Sequence, residues 1–435
     1  MKHRRMCRRV LSCFGALLVL GATPSLAAEP TPPAATALAA LVAEAREHNP
    51  ELRAAAEERK AARERIPQAG ALDDPMLEAG VVNLPAESLR FDREPMTMKM
   101  IGLSQKLPYP GKRGLREALA AKDAEAANYA YQETANRVVQ RVKSAYYDLA
   151  LSDESIRITR DNRAALGRLL ELVRSRYEVG LASQADALKA QTQIAKMDDE
   201  LLSLGRERRI AESELTRLLG RSRSEAIAPE PLRPQHAALP PLEILEADAG
   251  RVSPQLLALK SALARSGTGV ELAHKDYYPD FDVRFSYGQR DNLPGMPQEN
   301  LVSLTVAINL PLWRRSKLEP RVAEAEAMRD QAQSRYQAQL DELRARLRQA
   351  VASARQGLDS IRLYETAILP QARLTLDAAL SAYQVGRADF LTLLDSQMAV
   401  FNYRVAHAAA VAGYDKARAE IDFLTGRPAG TAAEH

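Results

Sequence analysis

The sequence predicts a mostly α-helical chain with a small membrane β-barrel. It is organised as two tandem repeats, each pairing two β-strands with a long coiled-coil helical hairpin. Three observations predict this. Short motifs recur in the same order at a spacing of about 203–206 residues. The whole stretch from Gly111 to Ala228 lacks proline and is dominated by the helix formers Ala, Glu, Arg, Leu and Gln. Two segments in the second half alternate apolar and polar side chains residue by residue.

The chain of 435 residues opens with Lys2, Arg4, Arg5, Arg8 and Arg9, then an apolar run from Val10 to Ala22, then Ser25-Leu26-Ala27-Ala28. This is the three-part plan of a secretory signal peptide, assigned to residues 1–27. A membrane anchor is the alternative, but the apolar run falls short of the ~20 residues that span a bilayer. The five cations of this segment, with no acid beside them, outweigh the net charge of +4, so the remainder is near −1. The basicity thus belongs to export and gives no footprint for nucleic acid. Both cysteines, Cys7 and Cys13, also lie there. Val10-Leu11-Ser12-Cys13 loosely matches a lipoprotein box, but no apolar segment precedes it and lipidation is not expected. The six histidines are scattered without metal-site spacing, and read as surface residues.

The first repeat, residues 28–228, opens with a helix over about 36–66; the second, residues 242–427, opens with one over about 252–276. A proline-rich linker, 229–241, separates them, and 428–435 form a tail. Asn49-Pro50-Glu51-Leu52 returns as Ser253-Pro254-Gln255-Leu256, and Leu218-Leu219-Gly220 as Leu424-Thr425-Gly426. Strands are expected at about 76–84 and 96–107, then at 281–288 and 303–310. In the last two, Phe281, Val283, Phe285 and Tyr287, and Leu304, Val306, Ile308 and Leu310, alternate with polar or small residues. The pattern suits a barrel wall, apolar to lipid and polar to the lumen, and equally a soluble half-buried hairpin. Four strands cannot close, and an open edge is not tolerated in lipid, so two or three copies must share one barrel. Trp313, just past the last strand, suits an interfacial anchor.

A helix from Lys112 to Tyr177 would be roughly 100 Å long at 1.5 Å per residue. Val138, Val142, Ala145 and Leu149, then Leu166, Leu170, Val173 and Tyr177, give it a coiled-coil seam; Leu340, Leu343, Leu347, Ala350 and Ala354 do so in the second repeat. The helix after the hairpin tip is shorter by about the length of the helix before the strands. Two short helices stacked end to end would therefore match one long one.

At the tips stand Tyr177-Glu-Val-Gly180-Leu-Ala-Ser183-Gln-Ala-Asp186 and Tyr383-Gln-Val-Gly386-Arg-Ala-Asp389-Phe-Leu-Thr392. With the tandem hairpin plan, these make residues 36–427 resemble the TolC-type outer-membrane efflux protein family. The resemblance implies a homotrimer with a shared twelve-stranded barrel in the Gram-negative outer membrane and an α-helical tube in the periplasm. The implied partners are a periplasmic adaptor protein and an inner-membrane pump of the RND type; the implied role is a passive exit duct. It makes Tyr177, Gly180, Ser183, Asp186, Tyr383, Gly386, Asp389 and Thr392 the candidate gate and adaptor contacts, with helix capping as the alternative role. Asp389 stands where the first repeat has Ser183, and Thr392 where it has Asp186, so gate pairings cannot be copied across repeats.

Asp74-Pro75-Met76-Leu77 and Leu107-Pro108-Tyr109-Pro110-Gly111-Lys112-Arg113 resemble members that serve heavy-metal efflux, for copper and silver or for cobalt, zinc and cadmium. Met96, Met98 and Met100 would then face the lumen, where thioethers are soft ligands for Cu(I); plain strand packing is the alternative. Pro370 falls inside the second long helix and is expected to kink it. A multidrug or protein-secretion duct fits the same helices. A periplasmic coiled-coil scaffold or adaptor without a pore is the reading of another class, though adaptors carry one hairpin and this chain has two. No nucleophile–base set, metal cluster or phosphate loop is evident, so neither an enzyme nor a cofactor is expected.

Overall fold

The computed structural model describes residues 37–426, apart from 224, 225, 235 and 237. The signal segment and the tail 428–435 lie outside the described residues. The first repeat runs α1 (Leu38–His48), α2 (Pro50–Gly70), β1 (Met76–Val82), β2 (Met98–Leu107), α3 (Lys112–Glu178) and α4 (Gln184–Leu219). The second runs α5 (Leu242–Val252), α6 (Pro254–Lys275), β3 (Phe281–Gln289), β4 (Leu301–Ile308), α7 (Glu319–Leu363), α8 (Leu369–Gln384) and α9 (Phe390–Leu424). The order is the same twice. The leading helix expected over about 36–66 is instead a pair, α1 and α2, and the one expected over about 252–276 is α6, preceded by the unexpected α5. A residue before proline is pushed out of the helical region, and Asn49 and Ser253 are accordingly extended, with ψ of 125° and 117°.

Those breaks mark where short helices abut. Helix α3 has 67 residues, and α2 and α4 both pack along it. The end of α4 meets the α1–α2 break: the Asn49 side-chain amide donates to the Leu218 carbonyl at 2.7 Å, and the Leu52 N–H donates to Asn49 Oδ1 at 3.1 Å. A Cβ on Gly220 would sit 2.5 Å from the His48 carbonyl oxygen, so the butt joint needs glycine. Gly426 lies against the Val252 carbonyl in the same way, at 3.1 Å. One apolar core gathers at each joint, around Leu41, Val142, Leu149 and Leu218 in the first repeat and Leu245, Leu347, Ile361 and Leu424 in the second. A third joins the hairpins toward their tips, through Leu166, Val173, Phe390 and Leu393.

The strands form one antiparallel sheet, β1-β2-β3-β4. Residues paired across it share a face: Leu77↔Leu103↔Phe285↔Leu304 is one such row, and Glu78↔Gly102↔Ser286↔Ser303 the next. One face thus carries Leu77, Ala79, Val81, Ile101, Leu103, Phe285, Val302 and Leu304. The other carries Glu78, Ser104, Arg284, Ser286 and Thr305, with Glu78 and Arg284 ion-paired at 3.1 Å. Two polar edges, β1 and β4, are left without a strand partner among the described residues.

Sheet and helices are joined at the segment 108–112. Lys112, almost wholly buried, sends its ammonium to Asp280 at 2.9 Å, Asp276 at 3.4 Å and the Tyr278 carbonyl at 3.3 Å. The Tyr109 N–H donates to the same Asp280 oxygen at 2.7 Å, and the Tyr109 and Tyr278 rings stack at 4.6 Å. Removing one partner of a buried ion pair is costly because the other keeps its desolvation penalty. Lys112→Met should therefore lower stability by about 2 kcal/mol, a value reduced from the fully buried case because Asp280 is partly exposed. Asp280→Asn, which keeps an acceptor for Tyr109, should cost less; thermal unfolding followed by helical circular dichroism ranks the two.

Candidate gate at the hairpin tips

Each tip reverses the chain by one device. At the end of α3 the Gly180 N–H donates to the Tyr177 carbonyl (2.9 Å) and the Leu181 N–H to the Arg176 carbonyl (2.8 Å). At the end of α8 Gly386 and Arg387 repeat this on Tyr383 and Ala382, at 3.0 and 2.8 Å. These are Schellman closures, which place a residue in the left-handed region. Gly180 and Gly386 fill that place, with φ of +73° and +74°. The Tyr-x-x-Gly spacing is therefore a helix stop signal.

The next helices start with matched caps. Ser183 accepts from the Asp186 N–H, and Asp186 Oδ2 accepts from the Ser183 N–H, both at 3.2 Å, a reciprocal capping box. In the second tip Asp389 accepts from the Thr392 N–H at 2.9 Å and from its hydroxyl. Acid and hydroxyl have exchanged places while the cap survives. The hydroxyl and amide of Thr392 hold the Asp389 carboxyl below the usual carboxylate range.

The two tyrosines differ. Tyr177 is 50% exposed although the seam pattern predicts it inside, whereas Tyr383 is 4% exposed. Tyr383 packs on Phe390, with ring centroids 5.9 Å apart, and under the Arg176 guanidinium, 4.9 Å above its ring. Arg176 Nη1 also donates to the Gln384 carbonyl at 2.7 Å, tying the first hairpin to the second. Burial pushes the Tyr383 phenol up, and its hydroxyl has no hydrogen-bond partner among the described residues. The ring is thus held in place by contact and by the cation above it. Sequence reasoning missed Arg176, since no local pattern marks a residue whose partner lies two hundred positions on.

Pro370 does not break its helix. The turn Tyr364–Ile368 widens to π geometry, so that the Leu369 N–H reaches the Tyr364 carbonyl, and α7 runs on into α8. The wider turn absorbs the missing proline N–H and its ring. Beside it lies a cleft of about 380 Å³ lined by Pro370, Arg157, Arg373, Arg404 and His407. Glu365, in the π turn, has His407 at 3.3 Å on one oxygen and His236 of the linker at 3.4 Å on the other. The scattered histidines gave no hint of this meeting.

Met98 and Met100 lie in β2 opposite Ile101 and Leu103, on the polar face, with Met98 packed over Gly288. Met96 falls in the loop before the strand, where its carbonyl accepts from Asn83 at 3.3 Å. Among the described residues no three His, Cys, Asp or Glu stand in position to hold a metal ion, and no helix is long and apolar enough to cross a membrane.

The profile of the family described as "Outer membrane efflux protein" matches residues 41–221 and again 248–427. Among curated relatives, the outer membrane protein TolC of Vibrio cholerae is 26% identical over 392 residues, 84% of this chain and 85% of its own. The cobalt-zinc-cadmium resistance protein CzcC of Cupriavidus metallidurans is 24% identical over 317 residues, 73% of this chain and 74% of its own. In fold, the chain superposes on the crystal structure of CusC with a TM-score of 0.76 at 17% identity, covering 89% of this chain and 91% of that one. It superposes on the outer membrane protein VceC of Vibrio cholerae with a TM-score of 0.76 at 20% identity, covering 89% and 96%.

A cap whose carboxyl is held low contributes fully above the ordinary carboxylate range, near pH 4, and is lost as pH falls through the depressed value. The protection of the first-turn amides of α9, measured as exchange relative to the unstructured rate at each pH, should therefore hold down to about pH 4 and fall below it. Asp389→Ala should lower that protection above about pH 4, and Asp389→Asn much less, because asparagine also caps.

Proposed function

We propose that this chain, which belongs to the outer membrane efflux protein family, supplies one third of a trimeric exit duct that passes heavy-metal cations. In this reading a periplasmic adaptor and an inner-membrane RND-type pump deliver the cargo. The protein is an outer-membrane efflux channel component; what is proposed is its assembly, gate, partners and cargo. The repeats are read as 28–228 and 242–427, joined by 229–241. Conduction is passive, and no catalytic step is assigned to the chain.

The observation that carries the assembly is the pair of unpartnered strands. In hydrocarbon an open sheet edge leaves backbone groups unsatisfied at several kcal/mol each. Because β1 and β4 alternate in direction, β4 of one copy can pair antiparallel with β1 of the next. The helical layer supports the same closure: α2 packs on α3, α3 on α6 and α6 on α7, which leaves α2 on the β1 flank and α7 on the β4 flank. Exposed Leu202 and Ile210 of α4 and Leu363 and Leu374 near the other flank offer apolar contacts farther down. Three copies complete twelve strands, enough for a water path.

At the tips, the cap residues Ser183, Asp186, Asp389 and Thr392 fix the loops that an adaptor would meet. Arg176 and Tyr383 form the tie that opening must release. The second hairpin is the mobile one, hinged at the π turn before Pro370. For cargo, the relationship to a cobalt-zinc-cadmium resistance protein favours metal cations. Met98 and Met100 on the lumenal face add soft donors. The similar coverage of TolC supports a general duct as the second reading.

The test is membrane fractionation, native mass and deletion. A heat-sensitive trimer in the outer-membrane fraction is expected, with metal tolerance lost and drug tolerance retained on deletion. The reverse sensitivities would assign a drug duct, and a soluble monomer would reject the assembly. Replacing Met98 and Met100 with Leu should lower copper or silver tolerance if thioethers assist passage; unchanged tolerance removes that role. In single-channel recordings Arg176→Ala should raise the open fraction several-fold, and Pro370→Ala should lower it.

A further inference from the structure

We infer that the segment just past β4 is a binding site for anionic phospholipid headgroups in the leaflet facing the helical tube. The apolar face of β4 ends in Val306 and Ile308, yet the apolar run continues through Leu310, Leu312 and Trp313. These three are 68%, 73% and 72% exposed, more than Val306 or Ile308. Arg314, Arg315 and Lys317 follow at once and are exposed. None of the three has an ion-pair or side-chain hydrogen-bond partner among the described residues. Nearby Arg321 is by contrast tied to Asp276 at 3.0 Å. The first acid after the three is Glu319, beyond the buried Leu318.

The occupant follows from continuity and charge. The apolar spur extends the lipid-facing side of the sheet, and an indole at such a border sits at headgroup depth. Uncompensated guanidinium groups just beyond it match phosphodiesters bidentately. The opposite rim is built differently. Three of its cations are already engaged: Arg90 with Asp92 at 2.6 Å, Lys99 with Asp291 at 3.1 Å, and Arg290 with the Glu299 carbonyl at 2.6 Å; the fourth, Arg93, stands between Asp92 and Glu94 in the sequence. Charge balance on one rim and excess cation on the other separates the two leaflets. The site would seat phosphatidylglycerol or cardiolipin, and it would fix the height of the barrel where the tube begins.

The inference rests on the strands lying in a membrane barrel, and its test separates the two. Wild-type protein is reconstituted in nanodiscs of phosphatidylcholine with a minority of phosphatidylglycerol or cardiolipin, and retained lipid is counted by native mass spectrometry after detergent release. A basic residue near an anionic surface changes lipid partitioning roughly fivefold. Arg314→Gln, Arg315→Gln and Lys317→Gln together should therefore reduce anionic-lipid retention at least about tenfold, with trimer mass and helical signal unchanged. Arg90→Gln with Arg290→Gln on the other rim should leave retention intact, and Trp313→Ala should weaken it for every lipid. Equal retention by the triple variant overturns the site. So does a triple variant that keeps its lipid but loses the trimer, which would assign the cations to a neighbouring copy. Wild-type protein that fails to enter nanodiscs at all would overturn the barrel reading itself.

Discussion

The chain is governed by the obligation of every backbone N–H and C=O in hydrocarbon to find a partner. A four-stranded sheet meets that obligation internally and fails it at both borders. Much of the remaining architecture answers to this failure. The repeat doubles two strands to four, the apolar row Leu77–Leu103–Phe285–Leu304 defines the side that would meet lipid in the proposed barrel, and the flanking helices α2 and α7 stand beside the same open edges. The joint between sheet and helices at Lys112 is both buried and charged. Two carboxylates around one ammonium hold direction better than apolar contact, which lets surfaces slide.

Architecture was legible in the sequence where physics acts locally or periodically. The span of α3, the four strands and the butt joint followed from proline absence, period-two alternation and matched lengths. Sequence pattern alone runs α1 and α2 together across the Asn49-Pro50 step and leaves α5 unmarked before Ser253-Pro254, because an X-Pro step looks like an ordinary first turn. Only the opposing ends of α4 and α9 turn each into a junction. Tyr177 carries the seam spacing yet is half exposed, while its counterpart Tyr383 is covered by Phe390 and Arg176, a difference that comes from how the hairpins dock and not from spacing. Arg176 and the Glu365 meeting of two histidines were invisible for the same reason: their geometry is set by hairpin docking, which leaves no short-range trace.

The two hairpins share a plan but are not mechanically alike. The first long helix is regular from Lys112 to Glu178, while the second passes through a π turn at Tyr364–Ile368 and carries its tip tyrosine inside. A regular helix resists bending along its whole length, whereas a wide turn concentrates bending at one place. A stiff strut beside a hinged one lets a tube change its aperture without losing its wall.

The exchange of acid and hydroxyl between the tip caps has a geometric corollary. Asp186 sits three residues inside its helix and Asp389 sits at the helix start, a step of roughly 4.5 Å along the axis at 1.5 Å per residue. If three copies assemble as proposed, the six carboxylates would form a crown of alternating height around the mouth, and the pseudo-sixfold backbone would carry a threefold electrostatic rim. A docking collar of six identical fingers would then meet two unlike kinds of notch in alternation, so its fingers would have to divide into two classes of contact.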